Sequence, residues 1–193
     1  MRRVNISVVG DCAVGKSSLI TRFVENKFLT LKVYYECAVK TIECNNEAIE
    51  VNVYDARGND RFQSQYYSNI RKADGIFIVF DRTYPQSFES LAKWMQIVEY
   101  FAPAQAIKIL LGNKTDLLLS TNVQKIVNQT ATSEWAQSAG IEYLETSAKE
   151  SINVDLAFHR LIKKITNNDL SPSQNVVRLV EPANDSWNLT HYC

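Results

Sequence analysis

The amino-acid sequence predicts an α/β fold: a six-stranded, mostly parallel sheet with one antiparallel strand and helices on both faces. Short apolar segments rich in β-branched residues alternate with segments of helical periodicity, which is the pattern of a parallel sheet between two layers of helices. A loop with two glycines joins the first strand to the first helix. A polar turn joins the second strand to the third, which favours an antiparallel hairpin. At 193 residues, the chain fits one domain.

The elements of the first half follow from the spacing of apolar residues. Val4–Val9 is short and β-branched and indicates a strand, whereas Ser18–Val24 carries apolar residues at helical spacing. Val39–Cys44 and Ile49–Tyr54 have the composition of two further strands. The intervening Asn45-Asn46-Glu47 is typical of a turn, so these two strands are predicted to pair as a hairpin.

The second half alternates strands with helices and then loses its periodicity. Gly140 is expected to end the penultimate helix, and Asn153 to be the N-cap of the last one. Residues 1–170 form the predicted domain, and residues 171–193 form a flexible tail of polar and isolated apolar residues. In order, the predicted elements are strand Ile76–Phe80, a helix with Phe88, Leu91, Met95, Val98 and Phe101 on one face, strand Ile107–Gly112, helix Thr132–Ala139, strand Ile141–Leu144, and a helix with Val154, Phe158, Leu161 and Ile165 on one face.

The composition disfavours several classes of protein. The 21 lysines and arginines balance 21 aspartates and glutamates, so no overall field attracts nucleic acid or an anionic membrane. The four cysteines show no C-x-x-C spacing, and neither a secretory leader nor a membrane-spanning apolar run is recognisable. This pattern indicates a cytosolic protein with reduced thiols. We expect a monomer that does not bind nucleic acid.

A phosphate-binding motif stands between the first strand and the first helix. Residues 10–17, G-D-C-A-V-G-K-S, match G-x-x-x-x-G-K-[ST], in which glycines turn backbone N–H groups toward a di- or triphosphate at a helix N-terminus. Lys16 is expected to neutralise the β and γ phosphates, and the Ser17 hydroxyl to bind Mg²⁺. The predicted phosphate-binding residues are Asp11, Cys12, Ala13, Val14, Gly15, Lys16, Ser17 and Ser18.

Two further segments are placed to read a nucleotide base. Asn113-Lys114-Thr115-Asp116 follows a buried strand, where a carboxylate can accept two hydrogen bonds from N1 and N2 of guanine that adenine cannot supply. Asp116 therefore predicts guanine selection and disfavours an ATP-using kinase. Ser147, Ala148 and Lys149 follow another strand, where backbone N–H groups would meet the guanine O6.

The phosphate loop, N-K-x-D and S-A-K together resemble the Ras superfamily of small GTPases, from about Val4 to Ile165. The resemblance implies a P-loop NTPase fold of the small G domain type, with GTP or GDP and Mg²⁺ as ligands. It implies an exchange factor, an activating protein and effectors as partners. Within the superfamily, the closest resemblance is to the Rab branch, through Lys40-Thr41-Ile42-Glu43, Asp60-Arg61-Phe62, Tyr66-Tyr67, Ser87-Phe88 and Trp94.

The resemblance also assigns roles around the base. It implies that Phe28 packs edge-on against guanine and that the Lys114 stem covers the base from the other side. It further implies that Asn113 ties the base-reading segment to the phosphate loop. A core aromatic is the alternative for Phe28.

The loop after the third strand departs from the family pattern. The family's D-T-A-G-Q-E is Asp55-Ala56-Arg57-Gly58-Asn59-Asp60 here. Asp55 is still expected to hold Mg²⁺ through water, and the Gly58 N–H to meet the γ-phosphate. Asn59 replaces the glutamine that orients the attacking water, and its side chain is shorter by one methylene. Arg57 could stabilise transition-state charge in cis, obstruct closure of the loop, or extend into solvent.

The loop after the first helix departs as well. The register places Lys32 where the family has a threonine that ligates Mg²⁺, and an ammonium cannot ligate a cation. Thr30, under a shifted register, is the alternative.

Taken with the phosphate loop and the loop after the third strand, the resemblance implies four catalytic residues: Lys16, Arg57, Gly58 and Asn59.

These departures lead to two expected functions. The first is a Rab-like guanine-nucleotide switch with slow or impaired GTP hydrolysis, acting in vesicle traffic or signalling. The second is a pseudo-GTPase interaction module that nucleotide stabilises but does not switch. A lipid on Cys193 would give marginal, reversible contact with the cytoplasmic face of a membrane, and an unmodified cysteine on a cytosolic protein is the alternative.

Overall fold

The computed structural model describes residues 1–29, 36–44, 47–55, 63–119 and 126–168. Its strands are β1 Arg2–Val9, β2 Ala38–Cys44, β3 Glu47–Asp55, β4 Gly75–Asp81, β5 Ile107–Asn113 and β6 Glu142–Glu145. They form one six-stranded sheet in the order β2-β3-β1-β4-β5-β6. The β2/β3 pair is antiparallel and the other four pairs are parallel, which confirms the predicted sheet.

The predicted hairpin is present between β2 and β3. Pairing runs from Ala38 opposite Val53 to Cys44 opposite Glu47. Asn45 and Asn46 of the predicted turn lie outside the described residues, as does the predicted tail 171–193.

The helices include two that apolar spacing does not predict, α2 and a short 3-10 helix. The predicted stripe from Phe88 to Phe101 is divided at Ser90, because Pro85 begins a separate short helix. None of the described helices is long and apolar enough to cross a membrane. The helices are α1 Lys16–Glu25, α2 Gln63–Arg71, α3 Pro85–Glu89, α4 Leu91–Phe101, α5 Gln129–Ser138 and α6 Val154–Asn168, with the 3-10 helix at Thr115–Leu119.

Local capping refines two predicted helix ends. α5 begins at Gln129 rather than Thr132, because the Asn128 carboxamide oxygen accepts a hydrogen bond from the Thr130 N–H at 2.8 Å. Gly140, at φ 66°, follows α5 as predicted. Asn153 precedes α6, but its side chain donates to the Glu145 carbonyl at 2.9 Å and so ties the start of the helix to the end of β6.

The core lies on both faces of the sheet, as the fold class requires. β4 is buried along its whole length, and its alternate side chains enter different clusters. Phe77 faces the cluster formed with α1 and α6, where Phe23 and Phe158 stack with ring centroids 3.8 Å apart. Ile78 faces the cluster formed with α2, α4 and α5.

The strand order brings the predicted functional loops to one edge of the sheet. β1 leads into the phosphate loop (10–17), and its neighbour β3 ends at Asp55, opposite Val8. β5 ends at Asn113 and β6 at Glu145. The carboxyl ends of parallel strands meet at one edge, so the phosphate loop and the base-reading segments converge there.

Candidate nucleotide-binding site

The conformation of the phosphate loop requires both of its glycines, because each lies against a different neighbouring residue. Gly10 adopts φ 141°, and a Cβ there would lie 2.1 Å from the Val79 carbonyl oxygen of β4. Gly15 adopts φ 100°, and its Cβ would lie 2.2 Å from Asn113 Nδ2. A side chain at either position would collide with a neighbouring strand end, so this loop conformation requires glycine.

Lys16 lies buried at the centre of the phosphate loop. Its Nζ donates to the Gly10 carbonyl at 2.8 Å and to the Asp11 carbonyl at 2.7 Å. Burial lowers the pKa of the Lys16 ammonium, and the negative charge of Asp55 opposes that shift most strongly. The loop thus holds one desolvated cation, which suits a phosphate group.

Ser17 and Asp55 are in direct contact beside this cation. The Ser17 hydroxyl, in the first turn of α1, donates to Asp55 Oδ2 at the end of β3. Asp55 is buried. Hydroxyl and carboxylate oxygens are suitable ligands for Mg²⁺, and these two already lie close enough to serve one ion.

Asn113 joins the phosphate loop to the base loop (145–149). Its Nδ2 donates to the Val14 carbonyl at 2.9 Å, and its Oδ1 accepts from the Ala148 N–H at 3.3 Å. Asn113 is fully buried. The link that the resemblance implies is therefore present.

Asp116 is oriented by the base loop. Ser147, which is buried, donates from Oγ to Asp116 Oδ1 at 2.6 Å and accepts from the Glu150 N–H at 3.0 Å. The Thr115 N–H and hydroxyl both donate to the Thr146 carbonyl. These bonds hold the half-buried carboxylate in one orientation at the sheet edge, as base recognition requires.

Lys114 and Phe28 are the two residues that the resemblance places against the base. Lys114 has φ 66°, and its Nζ pairs with Asp81 Oδ2 at 2.6 Å, so its stem extends from β5 toward β4. Phe28 is 39% exposed, which is not the burial of a core aromatic.

The other residues predicted to form the site fall into two groups: those whose burial the structure gives, and those outside the described residues. Cys12, Ala13 and Lys149 are exposed, Asp11 and Ser18 are half-buried, and Val14 belongs to the core. Arg57, Gly58, Asn59, Lys32 and Thr30 lie outside the described residues, so their roles stay predictions.

The family follows from a comparison of the whole sequence. The family model described as Ras family matches residues 5–167, which extends from β1 to α6. The chain belongs to the Ras family. It is therefore a GTP-binding switch protein of the small GTPase type, and the loops described above contain the residues predicted to bind its nucleotide.

Arg22 is a residue of this small GTPase that sequence reasoning misses. From the last turn of α1, its Nε donates to the Ala148 carbonyl and its Nη2 to the Lys149 carbonyl, both at 2.9 Å. Arg22 therefore holds the base loop against α1. An arginine on an amphipathic helix carries no sequence signal for this contact, because the base loop is 126 residues away.

Trp94 is a second residue that sequence reasoning leaves without a contact. Its indole Nε1 donates to Asp11 Oδ1 at 2.7 Å, and the Tyr66 ring packs edge-on against it with centroids 6.0 Å apart. α4 and α2 are thus connected to the phosphate loop through one side chain.

We expect Trp94→Phe to accelerate GDP release about fivefold, because the variant keeps a ring against Tyr66 but loses a hydrogen bond that holds the phosphate loop. Stopped-flow dissociation of fluorescent GDP measures this rate. Trp135→Phe in α5 is the matched control and should release GDP at the wild-type rate. Equal rates for both variants would contradict the prediction.

Proposed function

We propose that this small GTPase is a Rab-like switch that hydrolyses GTP slowly and acts in vesicle traffic or signalling. The Rab-like assignment rests on the segments that resemble that branch, including Tyr66-Tyr67 and Trp94. The observation that carries slow hydrolysis is that Asn59 stands in place of the water-orienting glutamine, in a chain whose phosphate-loop motif is complete.

The described residues support the proposed binding of guanine nucleotide. Lys16 would contact the β and γ phosphates, and Asp116 would accept from the guanine base. Ser17 and Asp55 would hold Mg²⁺, which neutralises charge on the phosphate oxygens when it is bound.

The proposed slow hydrolysis depends on two departures from the family pattern, at Asn59 and at Lys32. Asn59 is one methylene shorter than glutamine, so the attacking water is placed less well for in-line reaction. Arg57 is the one residue of this loop that could compensate, because a guanidinium at the γ-phosphate stabilises transition-state charge. That contact requires an ordered loop, and Lys32 at the expected threonine position removes a ligand that would order it.

We expect the intrinsic rate of GTP hydrolysis to lie below the ~10⁻⁴ s⁻¹ typical of a small GTPase with the glutamine. Single-turnover hydrolysis of bound GTP measures it. Asn59→Gln should raise the rate, and Arg57→Ala should change it little. A fast wild-type rate that collapses in Arg57→Ala would instead identify a catalytic arginine in cis.

A pseudo-GTPase that nucleotide stabilises but does not switch is the second candidate. Lys32 and Arg57 favour it, because both alter loops through which a small GTPase distinguishes GTP from GDP. Asp55 and Gly58 favour the switch. A ligand shifts a conformational equilibrium only through different contacts in the two states.

We expect amide hydrogen exchange in residues 30–35 and 56–62 to slow when GDP is replaced by a non-hydrolysable GTP analogue, as a switch requires. Residues 129–138 of α5 are the internal control and should exchange equally in both states. Equal exchange in the loops would favour the non-switching module.

Regulators and membrane contact complete the proposal. Exchange factors, activating proteins and effectors are typical partners of the family, and the proposed form of this chain is a cytosolic monomer. One lipid on Cys193 would support reversible contact with a membrane surface, and intact-mass measurement of protein from eukaryotic cells reads that lipid directly.

A further inference from the structure

Arg82 is a buried cation that the phosphate and base contacts described above do not use. Its side chain is 5% exposed and lies immediately after β4. Its Nη1 donates to the Tyr143 hydroxyl at 2.8 Å and to Glu145 Oε1, both on β6. The guanidinium therefore crosses β5 to reach the last strand of the sheet.

Gly112 of β5 leaves the space for this crossing. A Cβ at Gly112 would lie 2.7 Å from the Tyr143 hydroxyl oxygen and 3.0 Å from Arg82 Cδ. The Arg82 N–H also donates to the Asn113 carbonyl at 3.0 Å. Arg82 is thus attached to the ends of three adjacent strands.

Glu145, the partner of Arg82, is the first residue of the base loop. The next residue, Thr146, donates from its N–H to the Gly112 carbonyl at 2.9 Å. Ser147 follows and donates to Asp116 Oδ1 at 2.6 Å. Ser147, whose hydroxyl orients the Asp116 carboxylate, is therefore only two residues along the chain from Glu145 of the ion pair.

Stability alone does not explain this ion pair. Arg82 is buried whereas the Glu145 side chain is 29% exposed, so desolvation of the arginine and solvent screening of the carboxylate both offset the attraction. Within the described part of the chain, Arg82 Nε is also buried without a hydrogen-bond partner. What Arg82 adds is a defined direction, since its Nη1 donates to both the Tyr143 hydroxyl and the Glu145 carboxylate.

We propose that Arg82 is a positioning residue for guanine recognition, holding Glu145 so that Ser147 presents Asp116 to the 2-amino group of the base. This inference rests on the guanine-nucleotide binding assigned above. Loss of Arg82 should reduce discrimination between bases more than it reduces binding to the phosphates.

The experiment compares GDP with IDP, whose hypoxanthine base lacks the 2-amino group. Affinities for GDP, IDP and ADP are measured by displacement of a fluorescent nucleotide from wild type, Arg82→Met, Glu145→Gln and the double variant. We expect each variant to reduce the GDP-to-IDP affinity ratio by about tenfold, because a charge-assisted hydrogen bond to Asp116 is weakened. The double variant leaves no unpaired buried charge and keeps the test available if a single variant does not fold.

Val98→Ala is the matched control for destabilisation. Val98 is fully buried in α4, so its truncation lowers the unfolding temperature without touching the base loop, and the ratio should remain that of wild type. An unchanged ratio in Arg82→Met, or a ratio restored in the double variant, would overturn the inference. A wild-type protein that binds ADP as well as GDP would instead overturn guanine binding itself.

Discussion

Lys16→Met is expected to lower the affinity for GDP and GTP by roughly 10²- to 10⁴-fold. Each charge-assisted hydrogen bond from Lys16 to phosphate contributes about 1.5–3 kcal/mol, and two such bonds give this range. Displacement of a fluorescent nucleotide measures the loss. Lys163→Met, an exposed position on α6, is the control and should bind as wild type does.

The same substitution should change how the stability of the nucleotide-free domain depends on pH. Burial disfavours the charged Lys16 and lowers its pKa in the folded state. Below that folded pKa the penalty is complete, and it disappears as pH rises toward the higher pKa of the unfolded chain. The unfolding temperature of nucleotide-free wild type should therefore rise relative to that of Lys16→Met as the pH increases from neutral to alkaline. A difference between the two proteins that does not change with pH would contradict this prediction.

Asp116→Asn is expected to weaken GDP binding by at least about 10²-fold and to leave the weak binding of ADP unchanged. The carboxylate would accept twice from guanine, whereas a carboxamide presents one acceptor and one donor, so at least one charge-assisted bond would be replaced by a repulsive contact. Competition of GDP and ADP against one fluorescent nucleotide measures both affinities.

Glu150→Gln is the matched control for Asp116→Asn. Glu150 is exposed just beyond the base loop, where its carboxylate lies 3.6 Å from Lys149 Nζ. The neutral glutamine should retain the wild-type preference for guanine. A comparable loss of GDP affinity in both variants would indicate that general negative charge near the base, rather than the paired acceptors of Asp116, selects guanine.

Much of this protein could be predicted because the signals are local. The apolar run Ile76–Phe80 of β4 is buried on both faces, and the hairpin pairs as its polar turn predicts. The phosphate loop is recognisable because its glycines meet strict steric limits, which the 2.1 Å approach of a Gly10 Cβ to Val79 makes explicit.

Other elements could not be predicted because their stability comes from distant partners. α2 is a polar helix that apolar spacing does not reveal, yet its Tyr67 stacks on Phe101 of α4 with centroids 4.1 Å apart. α4 begins separately after Ser90 because Pro85 starts its own helix turn. The hydrogen bonds that the side chains of Arg22, Arg82 and Trp94 donate to the base loop, to β6 and to the phosphate loop join residues between 61 and 127 positions apart.

The sequence by itself determined the α/β class, the hairpin, the order of the strands, and the residue types expected to bind phosphate and guanine. These depend on spacing within a few residues and on side-chain chemistry. Only the tertiary structure decided the contacts that hold them. It buries Lys16 among loop carbonyls and orients Asp116 through the Ser147 hydroxyl. It also places Arg82 next to Gly112, where it pairs with Glu145. The reason is physical, since burial, desolvation and hydrogen-bond direction arise only when strands distant in sequence end at one edge of the sheet.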